Sequence, residues 1–306
     1  MYPEFMPDRE PLTVYLTFDC DPVNFDASLA VDDSVGLQHL FESIPIVLET
    51  LESISSTLGI NLEGTFFIRN ISTSPAGVIY NEEWDEFKIL WKEILGRGHG
   101  LGLHPHIDLP LGEFQSENSK LFYNFMHADF NKLQEMGENS RVTRIGGHSY
   151  TSTTSRILED LKVDLDSSAI PGRKLGKFDG SSDWTGYSNE LLPSWAYGQN
   201  QRSARKPPNN LMQLPMTTLK SGEIENYKRY IDFSFTDFSN YHTSLIDVIK
   251  ESKHIVGISH PSTLIPNIYL EHKSLSFGRD NWSENFLNFY QLLPPECSFR
   301  KLSRRS

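Results

Sequence analysis

Cysteine is scarce. The 306-residue chain has two, Cys20 and Cys297, near its opposite ends, which argues against a disulfide framework and makes a reducing compartment the natural expectation. Long apolar runs are also missing: nothing approaches the roughly 20 apolar residues that a membrane-spanning helix needs. The opening residues, MYPEFMPDREP, lack a basic segment followed by an apolar one, so no signal peptide is expected and a cytoplasmic location is. Positive charge is in deficit, with 28 Lys and Arg against 40 Asp and Glu and a net charge of −12. Nucleic acid is therefore not an expected partner, because phosphate contacts need clustered cations. Neutral sugars stay open, since they bind through hydrogen bonds and aromatic faces, and the chain has 12 Tyr, 19 Phe and 5 Trp. There is no internal repeat and no low-complexity segment. Hydrophobic residues at 38% and charged residues at 22% describe a globular chain able to bury a real core, of a length ordinary for one barrel.

Short β-rich runs alternate with helical periodicity. Leu12–Phe18 (LTVYLTF) reads as a buried strand, and Val35–Leu58 as a helix with apolar residues at three- and four-residue spacing. Gly64–Ile68 follows as strand and Glu82–Leu95 as an amphipathic helix stopped at Gly96. Further strands are predicted at Leu101–His104, Val142–Ile145, Val163–Leu165, Leu211–Pro215 and Ile255–Ile258. The later helices are predicted at Glu117–Met136, Ser152–Leu161, Asn240–Glu251 and Ser283–Leu292. Such alternation predicts an α/β fold with a parallel sheet, and about seven units point to a distorted (β/α) barrel in a single domain; an open doubly wound sheet is the alternative. The core spans about residues 12–262, with a long loop insertion at 171–210 and a C-terminal helix–strand extension. The insertion carries Trp184, Tyr187, Trp195 and Tyr197 and reads equally as a functional loop or as aromatics packed onto the barrel.

Two clusters carry chemistry. Asp19-Cys20-Asp21-Pro22 directly follows the first strand, so both acids can face the C-terminal mouth of a barrel, where functional residues gather. Asp-Pro also opens ordinary turns, so this cluster alone is weak. The second is Gly98-His99-Gly100-Leu101-Gly102-Leu103-His104-Pro105-His106-Ile107-Asp108. Three histidines and an Asp so close together are hard to explain as packing, and imidazole and carboxylate are the ligands Zn²⁺ prefers.

These motifs resemble those of the polysaccharide deacetylases with a NodB homology domain, similar to carbohydrate esterase family 4. That family carries a Thr-Phe-Asp-Asp-type first motif and a His-x-x-x-His-type second. Thr17-Phe18-Asp19-Cys20-Asp21 is similar to the branch with Asp-x-Asp. The resemblance implies a distorted barrel, one divalent metal ion, most naturally Zn²⁺, and removal of an acetyl group from an N-acetyl sugar. It makes Asp19 the general base, Asp21 a metal ligand and His104 the first metal histidine. Thr143-Arg144-Ile145-Gly146-Gly147-His148 is similar to the third motif and makes Arg144 the partner of the catalytic Asp. Ile255–His260 is similar to the last motif and makes His260 the general acid. His99 aligns with a histidine that is not a ligand and reads as structural. Asp183-Trp184 is only loosely similar to an Asp-Trp pair of some members.

This chain departs from the pattern where the family's second metal histidine becomes Asp108. If the backbone after His104 makes a helical turn, Asp108 at i+4 lies on its side and becomes the third ligand, the slightly favoured case because it keeps the spacing. If the backbone stays extended, His106 at i+2 takes that place. Two other classes remain: His104-Pro105-His106 also suits a binuclear amidohydrolase acting on a non-sugar amide, and the Asp108 departure suits a degenerate barrel that only binds carbohydrate. The absence of an export signal points to a polysaccharide precursor rather than a mature wall polymer as substrate.

Overall fold

A computed structural model describes residues 10–21, 39–69, 71–74, 77–80, 84–107, 116–146, 150–173, 184, 187–190, 192–193, 211–220, 228–234, 238, 241–265 and 278–303. Seven parallel strands form one sheet. In spatial order they are His254–Ser259, Thr13–Cys20, Gly64–Ile68, Gly100–Leu103, Val142–Thr143, Leu165–Asp166 and Met212–Gln213. In chain order these are β13, β1, β2, β5, β7, β8 and β10. A short antiparallel strand, Leu192–Pro193 (β9), borders β10. Outside the main sheet, Ile71–Ser74 (β3) pairs with Gly77–Tyr80 (β4) and His106–Ile107 (β6), and Thr218–Lys220 (β11) with Lys228–Tyr230 (β12). The last strand, Ser298–Phe299 (β14), lies parallel to the start of β1.

The helices are Leu40–Leu58 (α1), Trp84–Gly96 (α2), Ser116–Glu135 (α3), Ser152–Asp160 (α4), His242–Glu251 (α5) and Arg279–Tyr290 (α6). Their placement follows from the apolar spacing. In α1 the buried residues Leu40, Ile44, Val47, Leu48, Leu51 and Ile54 make one stripe. That helix ends at Gly59, whose φ of 66° turns the chain so that the Ile60 N–H also reaches the Ser55 carbonyl, at 3.1 Å, a left-handed turn that costs glycine least. At the start of α4 the Thr151 hydroxyl accepts from the Thr154 N–H, satisfying one of the orphan donors of a helix start. No described helix is long and apolar enough to cross a membrane.

Side-chain alternation divides the sheet into two faces. On β1, Val14, Leu16, Phe18 and Cys20 join the large core shared with the helices. Tyr15 instead belongs to a second cluster with Phe67, Val142, Leu165, Leu214, Val256 and Leu302. Residues from strands spread across a whole sheet can touch only on its concave side, so this cluster fills the inside of the barrel. Irregular segments complete the wall between β10 and β13. Thr217 N–H donates to the Val256 carbonyl at 3.2 Å, and Ile231 N–H to the Thr217 carbonyl at 2.9 Å. Ile258 N–H donates to Ile231 at 2.9 Å and Phe233 N–H to Ile258 at 3.2 Å. The result is the expected distorted barrel, with the closing strands replaced by loop.

The predicted strands and helices match observed ones, with ends shifted by a few residues. The start of the predicted helix at Val35 lies outside the described residues. The hairpin of β3 and β4 and the strands β6, β9, β11 and β12 were not predicted.

Candidate metal and catalytic site

The inner face changes character along the strands. On β1 it runs Tyr15, Thr17, Asp19 and then Asp21; on β2, Phe67 and then Arg69; from β5, Gly102, His104 and His106; from β7, Val142 and Arg144; from β13, Val256, Ile258 and His260. Because the strands are parallel, the polar member of every series arrives at the same C-terminal mouth. Asp19, Asp21, His104, His106 and Arg144 are all buried there.

Arg144 is 1% exposed and fully engaged. Its Nη1 donates to Asp19 Oδ1 at 2.7 Å and to Thr17 Oγ1 at 2.9 Å. Its Nε donates to the Ser167 carbonyl and its Nη2 to Ser167 Oγ, both at 3.1 Å. The guanidinium lies over the Phe67 ring, 4.4 Å from its centroid. Phe67 can sit there because residue 102 is glycine: a Cβ would stand 2.8 Å from the ring. A planar, permanently charged fork held on four sides fixes the direction of the Asp19 carboxylate.

Behind Arg144, the buried Asp166 ties neighbouring strand ends together. It accepts from Thr143 Oγ1, Ser168 Oγ and Gln213 Nε2 at 2.8, 2.7 and 2.6 Å. Burial raises its pKa, against the pull of these hydrogen bonds.

Asp21, His104 and His106 converge. Asp21 Oδ1 lies 2.9 Å from His106 Nε2 and 3.4 Å from His104 Nε2, and the two Nε2 atoms are 3.3 Å apart. Ligand atoms bound at about 2.0–2.1 Å around a tetrahedral ion stand about 3.3 Å from one another, so the triangle has the right size for Zn²⁺. These three form the one potential metal-holding group among the described residues. No hydrogen-bond donor is aligned on Asp21 Oδ1, although the atom is buried. His104 Nδ1 lies 2.7 Å from the Arg144 carbonyl, which fixes the proton on Nδ1 and turns Nε2 toward Asp21, the arrangement a metal histidine requires.

The electrostatics agree. Burial pushes the Asp21 carboxyl up, but the charges of His104 and His106 outweigh it and hold it well below the usual range. Burial pulls His104 down, yet Asp21 and Asp19 raise it on balance; that second proton, on Nε2, is the one a metal would replace. His106 is lowered, chiefly by burial with Arg69 adding, against Asp21.

His106 owes its place to extended backbone. Residues 106–107 form β6 beside β3, with Ser72 opposite His106, so the helical turn that would bring residue i+4 alongside His104 is not made. His106 therefore shares a side with His104, while Asp108 lies outside the described residues. Gly146 completes the seat: its N–H donates to the Pro105 carbonyl at 2.9 Å, and a Cβ on it would lie 2.1 Å from the His106 ring.

His260 closes the site from β13, with Nε2 3.6 Å from Asp21 Oδ2. Burial lowers its pKa, but the hydrogen bond and charge of Asp21, with Asp19 and Asp232 adding, raise it to about 9. Its backbone is anchored by Thr263, whose hydroxyl donates to the His260 carbonyl at 2.6 Å, and next door Trp282 Nε1 donates to Ser259 Oγ at 2.8 Å.

His99 is buried away from this group and accepts the Gly64 N–H on Nδ1 at 3.0 Å, a structural position. His148 and Asp183 lie outside the described residues, as do Trp195 and Tyr197. Trp184 and Tyr187 are buried and meet edge-to-face, with Tyr150 on the other side of Trp184, so these two pack the barrel. Arg69, Thr17, Ser167 and Gly146 were not singled out from sequence; the alternation along Gly64-Thr65-Phe66-Phe67-Ile68-Arg69 was the available signal for Arg69.

No family model matches the sequence, and no curated protein matches it either. Solved structures do. A candidate polysaccharide deacetylase from Mycobacterium smegmatis superposes with a TM-score of 0.56 at 14% identity, covering 98% of this chain and 91% of its own. A candidate polysaccharide deacetylase involved in O-antigen biosynthesis from Bordetella bronchiseptica gives 0.39 at 10% identity, over 90% and 89%. A mutant of a CE4-family pseudoenzyme with restored activity gives 0.32 at 14% identity, over 82% and 71%. The last two superpose too loosely to add weight. The first shows that this chain shares the fold of that protein.

Proposed function

We propose that this chain is a metal-dependent deacetylase that hydrolyses the acetamide of an N-acetyl sugar, in a polysaccharide or its precursor. The observation that carries the reading is the juxtaposition of two units at one barrel mouth: the Arg144–Asp19 pair, and the Asp21–His104–His106 triangle with His260 beside it. Asp108, favoured by spacing, yields the third ligand position to His106 in this reading.

Asp21, His104 and His106 would hold one divalent ion, most naturally Zn²⁺, which supplies Lewis acidity toward the acyl carbonyl and acidifies water. Asp19 is the base. Its carboxylate, aimed by Arg144, takes a proton from the attacking water while the water oxygen bonds to the acyl carbon. His260 is the acid. It gives its proton to the nitrogen as the C–N bond breaks, so the products are acetate and a free amino sugar. A carboxylate base and an imidazolium acid hold opposite protonation states at one pH, and Asp21 beside His260 favours the charged imidazole. The buried aromatic and aliphatic layer below keeps bulk water from reaching the site through the barrel.

The test is acetate release from N-acetylchitooligosaccharides and from nucleotide-linked N-acetyl sugars by zinc-loaded protein. The reading expects metal-dependent release that the Asp19→Asn protein loses. Release unaffected by chelation and re-metallation would contradict it, as would none from any acetamido sugar.

A further inference from the structure

The general acid of the mechanism above stands where regular structure ends. His260 follows the last residue of β13, and the neighbouring wall is the loop 231–234 in place of a strand. That loop grips the chain on both sides of His260. Before it, Phe233 N–H donates to the Ile258 carbonyl at 3.2 Å and Ile258 N–H to the Ile231 carbonyl at 2.9 Å. After it, Ser234 Oγ lies 2.5 Å from Thr263 Oγ1, and Thr263 Oγ1 lies 2.6 Å from the His260 carbonyl oxygen. The loop is itself pinned: Ser234 N–H donates to Asp232 Oδ1, and Asn285 Nδ2 from α6 to the Phe233 carbonyl, both at 2.8 Å.

The protons give this chain of bonds one direction. Two oxygens 2.6 Å apart need a proton between them, and a carbonyl has none. The single proton of the Thr263 hydroxyl therefore faces His260, and Ser234 donates to Thr263. The His260 carbonyl also accepts the Thr263 N–H at 2.9 Å, the bond that opens the 3-10 turn Pro261–Leu264. Such a turn needs the N–H bond alone, so the hydroxyl and its link to the loop are additions. Thr263 is 2% exposed, and valine would fill the same volume, so packing does not account for the oxygen.

We propose that Thr263, backed by Ser234, is a positioning residue that acts through His260, holding the imidazole where it can pass its proton to the departing nitrogen. The inference rests on the deacetylase reading. In that reading the C–N bond breaks as the His260 proton passes to nitrogen, because a bare nitrogen anion is too basic to leave. An aryl acetate differs. 4-Nitrophenolate leaves as the anion, so its C–O bond breaks without the His260 proton, while water attack and proton transfer to Asp19 are unchanged. A residue that acts through the acid therefore affects the amide far more than the ester. One that merely supports the fold affects both alike.

The experiment compares zinc-loaded wild-type, Thr263→Val, Thr263→Ser and Ser234→Ala proteins on N-acetylchitooligosaccharides and on 4-nitrophenyl acetate. Thr263→Val should keep its zinc and its KM and lose about tenfold in kcat on the amide, part of the roughly 10²–10⁴-fold that a general acid supplies. Its loss on the ester should be smaller. Thr263→Ser returns the hydroxyl and should recover most of the amide rate. Ser234→Ala should repeat the selective loss more weakly, and it decides the matter where Thr263→Val does not fold. Equal losses on both substrates overturn the inference, as do an unchanged amide rate, loss of zinc, or a raised KM with kcat kept. Wild-type protein that hydrolyses no acetamido sugar brings down the deacetylase reading instead. Crystal structures of wild type, Thr263→Val and Ser234→Ala need no substrate, so they decide the role of Thr263 in either case. A displaced His260 ring is expected, and an unmoved one overturns the inference.

Discussion

At the scale of single residues, Asp19 and His99 show how burial serves opposite ends. Asp19 is buried but tied to Arg144 Nη1 at 2.7 Å, a pairing that offsets the cost of removing a carboxylate from water. Replacing it with Asn preserves the shape and one acceptor while removing the basicity. Asp19→Asn should keep metal and fold and lower turnover by at least about 10²-fold, and an unchanged rate would place the base elsewhere. His99 is buried, and the surrounding Glu52 and Glu63 do not offset that burial, which decides its state. Burial, opposed by Glu52 and Glu63, lowers its pKa from 6.5 to about 4. Between those values the unfolded chain binds the proton and the folded one does not, so the contribution of neutral His99 is complete above about pH 6.5 and is lost as pH falls toward 4. The loss amounts to about 3 kcal/mol at most. Urea melts at pH 7 and pH 4.5 should show a smaller acid loss for His99→Gln than for wild type, and an equal loss in both would remove His99 from the account.

At the scale of elements, the proposed ligand set turns on the short strand β6. Extended backbone at 106–107 puts His106 on the side of His104, and Gly146 leaves the space its ring occupies. Gly146→Ala should displace that ring and weaken zinc binding by about 10- to 100-fold with the circular dichroism spectrum retained; wild-type affinity would show that Gly146 does not seat His106. This is also where the sequence stopped being legible. Strands β1, β2 and β13 could be read directly, because continuous apolar, β-branched runs mark strands buried on both faces. The meeting of Asp19, Asp21, His104, Arg144 and His260 in one place was legible from motif order. β6 was not: two residues after a proline carry no periodicity, and its pairing with β3 is a long-range choice. Arg69 was passed over because an arginine after GTFFI looks like a strand-end surface charge until alternation places it inside.

At the scale of the whole molecule, the barrel brings residues distant in sequence to one mouth and fills everything below with Tyr15, Phe67, Val142, Leu165, Leu214, Val256 and Leu302. The C-terminal extension takes part in this. Leu302 sits in that inner cluster, and its N–H donates to Thr65 Oγ1 at 2.8 Å, while β14 fills the edge of β1 below the start of β2. The central claim is that this frame presents a single metal centre made of Asp21, His104 and His106. Elemental analysis after zinc loading and desalting tests it most directly, on wild type and on His104→Ala, His106→Ala and Asp108→Ala. The account predicts one ion per wild-type chain, its loss from the His104 and His106 variants with the fold retained, and near-normal content in Asp108→Ala. Two ions per chain, or full metal in His104→Ala or His106→Ala, would contradict it.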